Sequence, residues 1–317
     1  TNASRTMLYD IDRLEWSSDL GALFGVPRAM LPEVRPSSGD FGVASAEWFG
    51  EAIPIRGVAG DQQAALYGQG CWEHGEGKNT YGTGAFLLFN AGSHRPEGGG
   101  GLLTTIACDA TGKATYALEA SIFIAGAAVQ WLRDGLRIVK SAAETEALAR
   151  SLASNDGVYF VPALVGLGAP WWEANARGTI VGLTRGTTHA HLVRAALEAM
   201  TYGTADVIDA MVKGTGKRFA KLRVGGGATA DGRVMHVQGG VLGVPVERPA
   251  NVETTALGAA GLAGIASGVW ANADQFLATQ RFTAFPPGPG AKQSKALRRE
   301  WGRAVRATLS WARDNRP

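Results

Sequence analysis

Cysteine is almost missing: Cys71 and Cys108 are the two in 317 residues. Placed in unrelated contexts, they support neither a disulfide framework nor a zinc site, and they fit a reducing compartment. An excess of one charge is also lacking. The 31 basic and 28 acidic residues leave +3, too mild a balance to point to nucleic acid. No internal period stands out, which excludes a solenoid. Long runs of large apolar residues are absent too. Residues 254–273 are uncharged and long enough to span a bilayer. Alanine and glycine dominate there, however, with Leu257, Leu262, Ile265, Val269 and Trp270 as the large apolar residues. The segment therefore reads as a buried, closely packed helix with no membrane insertion. The opening TNASRTMLYD is polar and has no signal-peptide apolar stretch.

Two common catalytic motifs are absent as well. The phosphate-loop pattern G-x-x-x-x-G-K-[ST] fails twice, because Gly77-Lys78 runs into Asn79 and Gly216-Lys217 into Arg218. H-E-x-x-H does not occur. His189-Ala-His191 lacks nearby cysteine or carboxylate partners and reads as a helix-start loop, not as a metal pair.

What remains is ample for a core: 45% apolar and 19% charged residues exclude intrinsic disorder. At about 150 residues per domain, the length predicts two domains or one large one. The 44 glycines follow no collagen period and cluster at the ends of apolar runs. Strand patterns fall at Ile55–Ala59, Tyr81–Asn90, Leu102–Cys108, Ala114–Leu118, Val158–Pro162, Thr179–Leu183, Lys221–Val224 and Val244–Glu247. Helical patterns begin near Gln62 and cover Ile122–Ile138, Glu144–Leu152, His191–Val212, a stretch from Gly227 to about Gly239, residues 254–268 and Leu297–Trp311. Asp109–Gly112 reads as a hairpin turn. Gly98–Gly101 reads as a hairpin loop between strands, not as a domain boundary. Hairpins mixed with β-α alternation predict an α/β or α+β architecture.

Three glycine-rich turns carry the candidate chemistry. Gly225-Gly226-Gly227-Ala228-Thr229-Ala230 matches G-x-G-x-x-A between a strand and a helix, and Glu247 follows 20 residues after Gly227. That is the dinucleotide fingerprint with its ribose-binding acid. A broader reading needs only helix-terminal N–H groups facing a phosphate or nucleoside. In Gly57-Val58-Ala59-Gly60-Asp61-Gln62 an aspartate and a glutamine stand at a helix start, Asp61 as an N-cap or as a base. Asn79–Gly84 offers amides and a hydroxyl in a Gly-Thr-Gly turn. Together the three turns are suited to converge on one polyphosphate.

On these residues the sequence resembles the FGGY carbohydrate kinases of the actin/hexokinase/Hsp70 superfamily, which have a ribonuclease H-like α/β ATPase fold. The resemblance runs from Thr1 to about Gly268 through TNASRTMLYDI, MLPEVRPSS, GVAGDQQAALYGQ, KNTYGTGAFLLFN, GLLTTIAC, YALEASIFIAGAAVQWLRD, GLGAPWWEANARGTIVGLTRG and TTALGAAGLAG. The C-terminal family signature is met by Gly178, Ile180, Gly182-Leu183, His191-Leu192, Ala195 and Glu198. GLLTTIA, TNASRT and GDQQAAL point to the glycerol-phosphorylating branch.

The resemblance implies transfer of a phosphoryl group from ATP to glycerol, giving glycerol 3-phosphate and ADP with Mg²⁺. It makes Asp61 the catalytic base, which also contacts glycerol and stands near the metal. Gln62 becomes a glycerol contact and Phe86 the aromatic against the glycerol carbons. Thr83, Gly126, Gln130, Gly227 and Asp231 become nucleotide-side positions, so the dinucleotide fingerprint becomes part of an ATP site. It further implies a cytoplasmic homo-oligomer, dimer or tetramer. Residues 1–68 would be the end of a first domain and 69–317 a complete second one. An N-terminal segment carrying further glycerol and phosphate ligands would be absent, with Leu20–Val34 left without sheet partners. Three positions depart from the family pattern. Gly225 stands where an Asp is usual and Asp231 where an Asn is usual. Ala52 stands where some members carry an Arg that binds fructose 1,6-bisphosphate. Another sugar kinase of the family, acting on a pentulose or gluconate, and a non-catalytic nucleotide-binding fragment are the alternatives.

Overall fold

The computed structural model describes residues 1–97, 100–287 and 291–314. Residues 1–60 form small elements only: strands β1 (Tyr9–Asp10), β2 (Glu15–Trp16), β3 (Val43–Ala44) and β4 (Ile53–Pro54), with helices α1 (Ser18–Phe24) and α2 (Ala46–Phe49). β1 pairs with β2 and β3 with β4, each as a two-stranded hairpin. Leu23, Phe24, Met30 and Val34 are exposed beside them. The strand expected at Ile55–Ala59 is not regular. Ile55 extends the β3–β4 hairpin through its bonds to Gly42 and Phe41, and Gly57 makes an isolated bridge to Ser38.

The body begins at α3 (Asp61–Gly68), followed by β5 (Gly77–Tyr81), β6 (Ala85–Gly92), β7 (Leu103–Cys108) and β8 (Ala114–Ile122). Then come α4 (Gly126–Asp134), α5 (Glu144–Arg150), β9 (Tyr159–Val161), β10 (Thr179–Val181) and α6 (His189–Thr215). β11 (Leu222–Gly225), α7 (Gly232–Leu242), β12 (Val246–Pro249), α8 (Thr254–Ala266), α9 (Ala273–Ala278), β13 (Phe282–Phe285) and α10 (Ala291–Asp314) complete the chain.

Seven strands make one sheet in the order β13-β12-β11-β5-β6-β8-β7. β12, β11 and β5 run parallel, and the hairpin strands β6, β8 and β7 extend the sheet antiparallel. β8 inserts between β6 and β7, so the connection that contains Gly98–Gly101 is not a hairpin loop; Gly98 and Gly99 lie outside the described residues. The pattern Tyr81–Asn90 divides into two strands, because Gly82-Thr83-Gly84 turns the chain between β5 and β6. α4 starts at Gly126 and not at Ile122, because Ile122 still pairs with Ala85 in the sheet.

Strand alternation sends successive side chains to opposite faces. On one face Leu87, Phe89, Leu118 and Ala120 pack under α4 and α6 in the main core. Asn79 and Tyr81 share this face, where both bond to Thr204 of α6 and Tyr81 also to Gln238 of α7. On the other face Leu88, Ala107 and Ala117 pack against Leu66 of α3.

α3 is held there by α8, the Ala/Gly-rich helix. A Cβ on Gly258 would strike the Ala64 carbonyl, so the two backbones touch. Among the described residues no helix is long and apolar enough to cross a membrane. His191 is used structurally: its Nδ1 bonds the Thr188 N–H at 3.1 Å in a capping box, and its Nε2 lies 3.2 Å from Asp156. Cys71 and Cys108 are free and buried.

Candidate active site

β5 and β11 are adjacent parallel strands whose carboxyl ends lead into Gly82-Thr83-Gly84 and Gly226-Gly227. Ligands of open α/β sheets bind outside such strand ends. The start of α4 joins them. Ala125 and Ala127 donate to the Thr83 carbonyl at 2.8 and 3.0 Å, and Gly126 donates to Gly82 at 3.0 Å. A side chain at Gly126 would put its Cβ 2.6 Å from the Gly82 carbonyl. Gly226 has φ +88°, and a Cβ there would strike the Tyr81 carbonyl. Gly227 differs, since its Cβ would meet no protein atom within 4 Å.

Between these turns opens a cleft of about 650 Å³. Thr83, Gly126, Gln130, Gly227 and Asp231, scattered over 149 positions of sequence, all line it, together with Arg133, Glu146, Leu197 and Met200. The sequence reading missed these last four, since they come from faces of α4, α5 and α6 that only the packing defines.

Asp231 caps α7 by accepting from the Arg233 and Val234 N–H groups at 2.9 and 3.1 Å. Its second oxygen is buried without a hydrogen-bond partner among the described residues. Burial raises its pKa, the nearby Glu146 carboxylate adds to that, and the capping N–H groups oppose it. A glycine cradle, a free buried acceptor and an apolar wall fit a nucleoside phosphate.

Glu247 does not fit the dinucleotide reading. It pairs with Arg223 at 3.1 Å and Lys221 at 3.4 Å, both in or beside β11, and it does not line the cleft. Its charge is spent on cations of the sheet and not on a ribose.

Asp61, Gln62 and Phe86 gather elsewhere, on the α3 face of the sheet. Gly60 holds the N-cap position of α3, so Asp61 is the first helical residue and not the cap. Its exposed carboxylate accepts from the Gln62 N–H at 2.7 Å. Thr80 pairs with Phe86 across β5 and β6, which puts Phe86 on the face carrying Thr80, with 39% of its surface open. Beneath them lies Lys78, fully buried, donating to Gln62 Oε1 and to Thr80 Oγ1 at 2.8 Å. β5 thus links the two clusters: Lys78 and Thr80 belong to one, and Tyr81 lines the other. Lys78 was visible in the sequence only as the lysine of a failed phosphate loop.

The rest of the chain's kinship is consistent with this arrangement. Residues 77–267 match the FGGY family of carbohydrate kinases, C-terminal domain, and residues 1–68 match the N-terminal domain of the same family. The chain belongs to the FGGY family of carbohydrate kinases. It is 53% identical over 313 residues to a glycerol kinase of Carboxydothermus hydrogenoformans, which covers 98% of this chain and 63% of that protein. A glycerol kinase of Burkholderia pseudomallei is 53% identical over 99% of this chain and 63% of its own length. Among solved structures, Plasmodium falciparum glycerol kinase with ADP superposes with a TM-score of 0.92 at 35% identity, covering 98% of this chain and 62% of that one. A xylulose kinase from Rhodospirillum rubrum, at 24% identity and a TM-score of 0.84, shares the fold. The chain spans about 63% of the length of the curated relatives it matches.

Proposed function

We propose that this FGGY chain carries the nucleotide site and the catalytic base of an ATP-dependent glycerol kinase, which makes sn-glycerol 3-phosphate and ADP. One observation carries the reading: the five nucleotide-side positions line a single cleft, and β5 runs from that cleft to the cluster of Asp61, Gln62 and Phe86. The likeness to glycerol kinases, one of them solved with ADP, supports it.

An alcohol is barely ionised at neutral pH, so a carboxylate must accept its proton as the O–P bond forms. Asp61 suits that role, being an exposed carboxylate on a helix start fastened to the sheet. Gln62 supplies hydrogen bonds to polyol hydroxyls, and the open face of Phe86 covers the carbons. The remaining barrier is lowered by positioning and by charge stabilisation. Asp61 offers the hard oxygen that Mg²⁺ takes together with substrate phosphates and water, and the ion, when bound, neutralises phosphate charge. Residues 1–68 and 69–317 form the two domains in this reading. Exposed Trp48, Phe49 and Val43 support a homo-oligomer, dimer or tetramer, and the two free thiols fit the cytoplasm.

The test is transfer of labelled phosphate from ATP to glycerol, measured for the chain alone and for the chain joined to the part of a curated relative it does not cover. Asp61→Asn should lower kcat about 100- to 10,000-fold. Full activity in that variant sinks the base assignment. A panel of pentuloses and gluconate must fall below glycerol in kcat/KM. ADP binding without transfer to any polyol in either form would make the chain a nucleotide-binding unit only.

A further inference from the structure

Lys78 is a cation in a place where packing alone would take an apolar side chain. It stands opposite Leu88, and Leu88 stands opposite Glu119, so lysine and glutamate flank one leucine on the α3 face of the sheet. The lysine is fully buried. A methionine would fill the same space without the cost of desolvating a charge. The ammonium instead has three acceptors for its three N–H bonds: Gln62 Oε1, Thr80 Oγ1 at 2.8 Å and the Phe86 carbonyl at 3.5 Å. Two of these three residues, Gln62 and Phe86, are substrate positions of the proposed kinase. The carboxylates of Asp61 and Glu119 both act on the ammonium. Arg5 takes one oxygen of Glu119 at 2.9 Å.

A glutamine carboxamide has one oxygen and one NH₂ group, and only one of them can face Lys78. With Oε1 taken, Nε2 is the group left for a ligand. We propose that Lys78 is a positioning residue of the substrate site, which holds Gln62 Oε1 and so turns Gln62 Nε2 toward the polyol as a hydrogen-bond donor. The proposal rests on the glycerol reading of the site. It sets a division of labour between neighbours. Asp61 accepts from the reacting hydroxyl, while Gln62 donates to the oxygen of an adjacent one. A vicinal diol is then bound in one orientation only.

The test follows the side-chain amide signals of Gln62, Gln63 and Gln69 in the ¹⁵N-labelled chain. Without ligand, K78M should move the Gln62 signal. Gln63 and Gln69, whose Nε2 groups go to Thr105 and Thr254, serve as internal controls and should stay. Glycerol should then shift Gln62 saturably in the wild type, and at least ten-fold more weakly in K78M. Adding K78M to Q62A should cost no further affinity. A Gln62 signal indifferent to K78M, or an equal loss of affinity in the Q62A background, overturns the inference. If K78M moves Gln62 but glycerol binds neither the chain alone nor the chain joined to the part of a curated relative it does not cover, the glycerol reading falls and takes the polyol half of the inference with it. Should K78M not fold, K78Q, whose shorter neutral chain cannot offer the same N–H to Gln62, takes its place in each measurement, and the same results support or overturn the inference.

Discussion

Burial pushes the Lys78 ammonium down to about 7 from its ordinary value near 10.5, against the pull of the Glu119 and Asp61 carboxylates. The sign of the resulting pH dependence follows from proton counting. Between about pH 7 and 10.5 the unfolded chain holds a proton on this lysine that the folded chain has lost, so stability rises with pH through that window. Below pH 7 both states are protonated and the burial penalty is at its fullest. K78M removes the group. Its stability relative to the wild type should therefore be greatest below pH 7 and should decline toward pH 10, as read from urea midpoints at each pH. A flat difference would mean that the lysine titrates alike in both states. Residues of this kind resist sequence reading. Asp61, Gln62 and Phe86 could be named from family motifs, but Lys78 gains its meaning only from the register that sets it under Gln62.

At the level of elements, the sequence pattern located most of the body and misplaced its junctions. Periodicity picked out α6, α8 and β7 well, because each is long or bounded by turn residues. It read Gly82-Thr83-Gly84 as a turn but left all of β5 except Tyr81 unread, since Gly77-Lys78-Asn79-Thr80 has no apolar alternation and only pairing with β6 and β11 makes it a strand. It began α4 too early because Ile122-Phe123-Ile124 is apolar in either conformation; pairing with β6 decides the matter. α9 and β13 passed unread, being short and carrying no strong signal. The composition of α8, by contrast, stated its packing directly. Gly258 lies against the Ala64 carbonyl of the helix that bears Asp61. Gly258→Val should cost about 1–3 kcal/mol in denaturant unfolding through overpacking. Because it pries α3 outward, it should also lower phosphoryl transfer more than it lowers ADP affinity.

For the whole molecule, the proposed function gives the α3 face of the sheet to the substrate and the cleft at the strand ends to the nucleotide. A ligand that binds only the folded chain stabilises it by mass action, by about 2.7 kcal/mol at 100 times its Kd. ADP at that excess should raise the thermal midpoint, and NAD should leave it unchanged, because Glu247 is tied to Arg223 and Lys221. Equal protection by NAD would restore the dinucleotide reading. Residues 1–60 are organised differently from the rest. Their strands pair only in twos, and Trp48 and Phe49 stand 78% and 61% exposed. The architecture of that region was the least legible in the sequence, because two-residue strands leave too little pattern to read.

Two neighbouring glycines divide what the protein needs for itself from what it needs for its ligand. Gly226 is boxed in by the Tyr81 carbonyl, and no replacement leaves the turn intact. Gly227 borders the cleft with empty space where a side chain would go. A saturation scan scored twice, for abundance in cells and for retention on an ADP resin, should therefore separate them. Position 226 should be depleted in both scores. Position 227 should tolerate alanine and serine in the first and lose them in the second. With that outcome the one glycine would answer to folding, and the other would be a gap kept for a molecule that comes and goes.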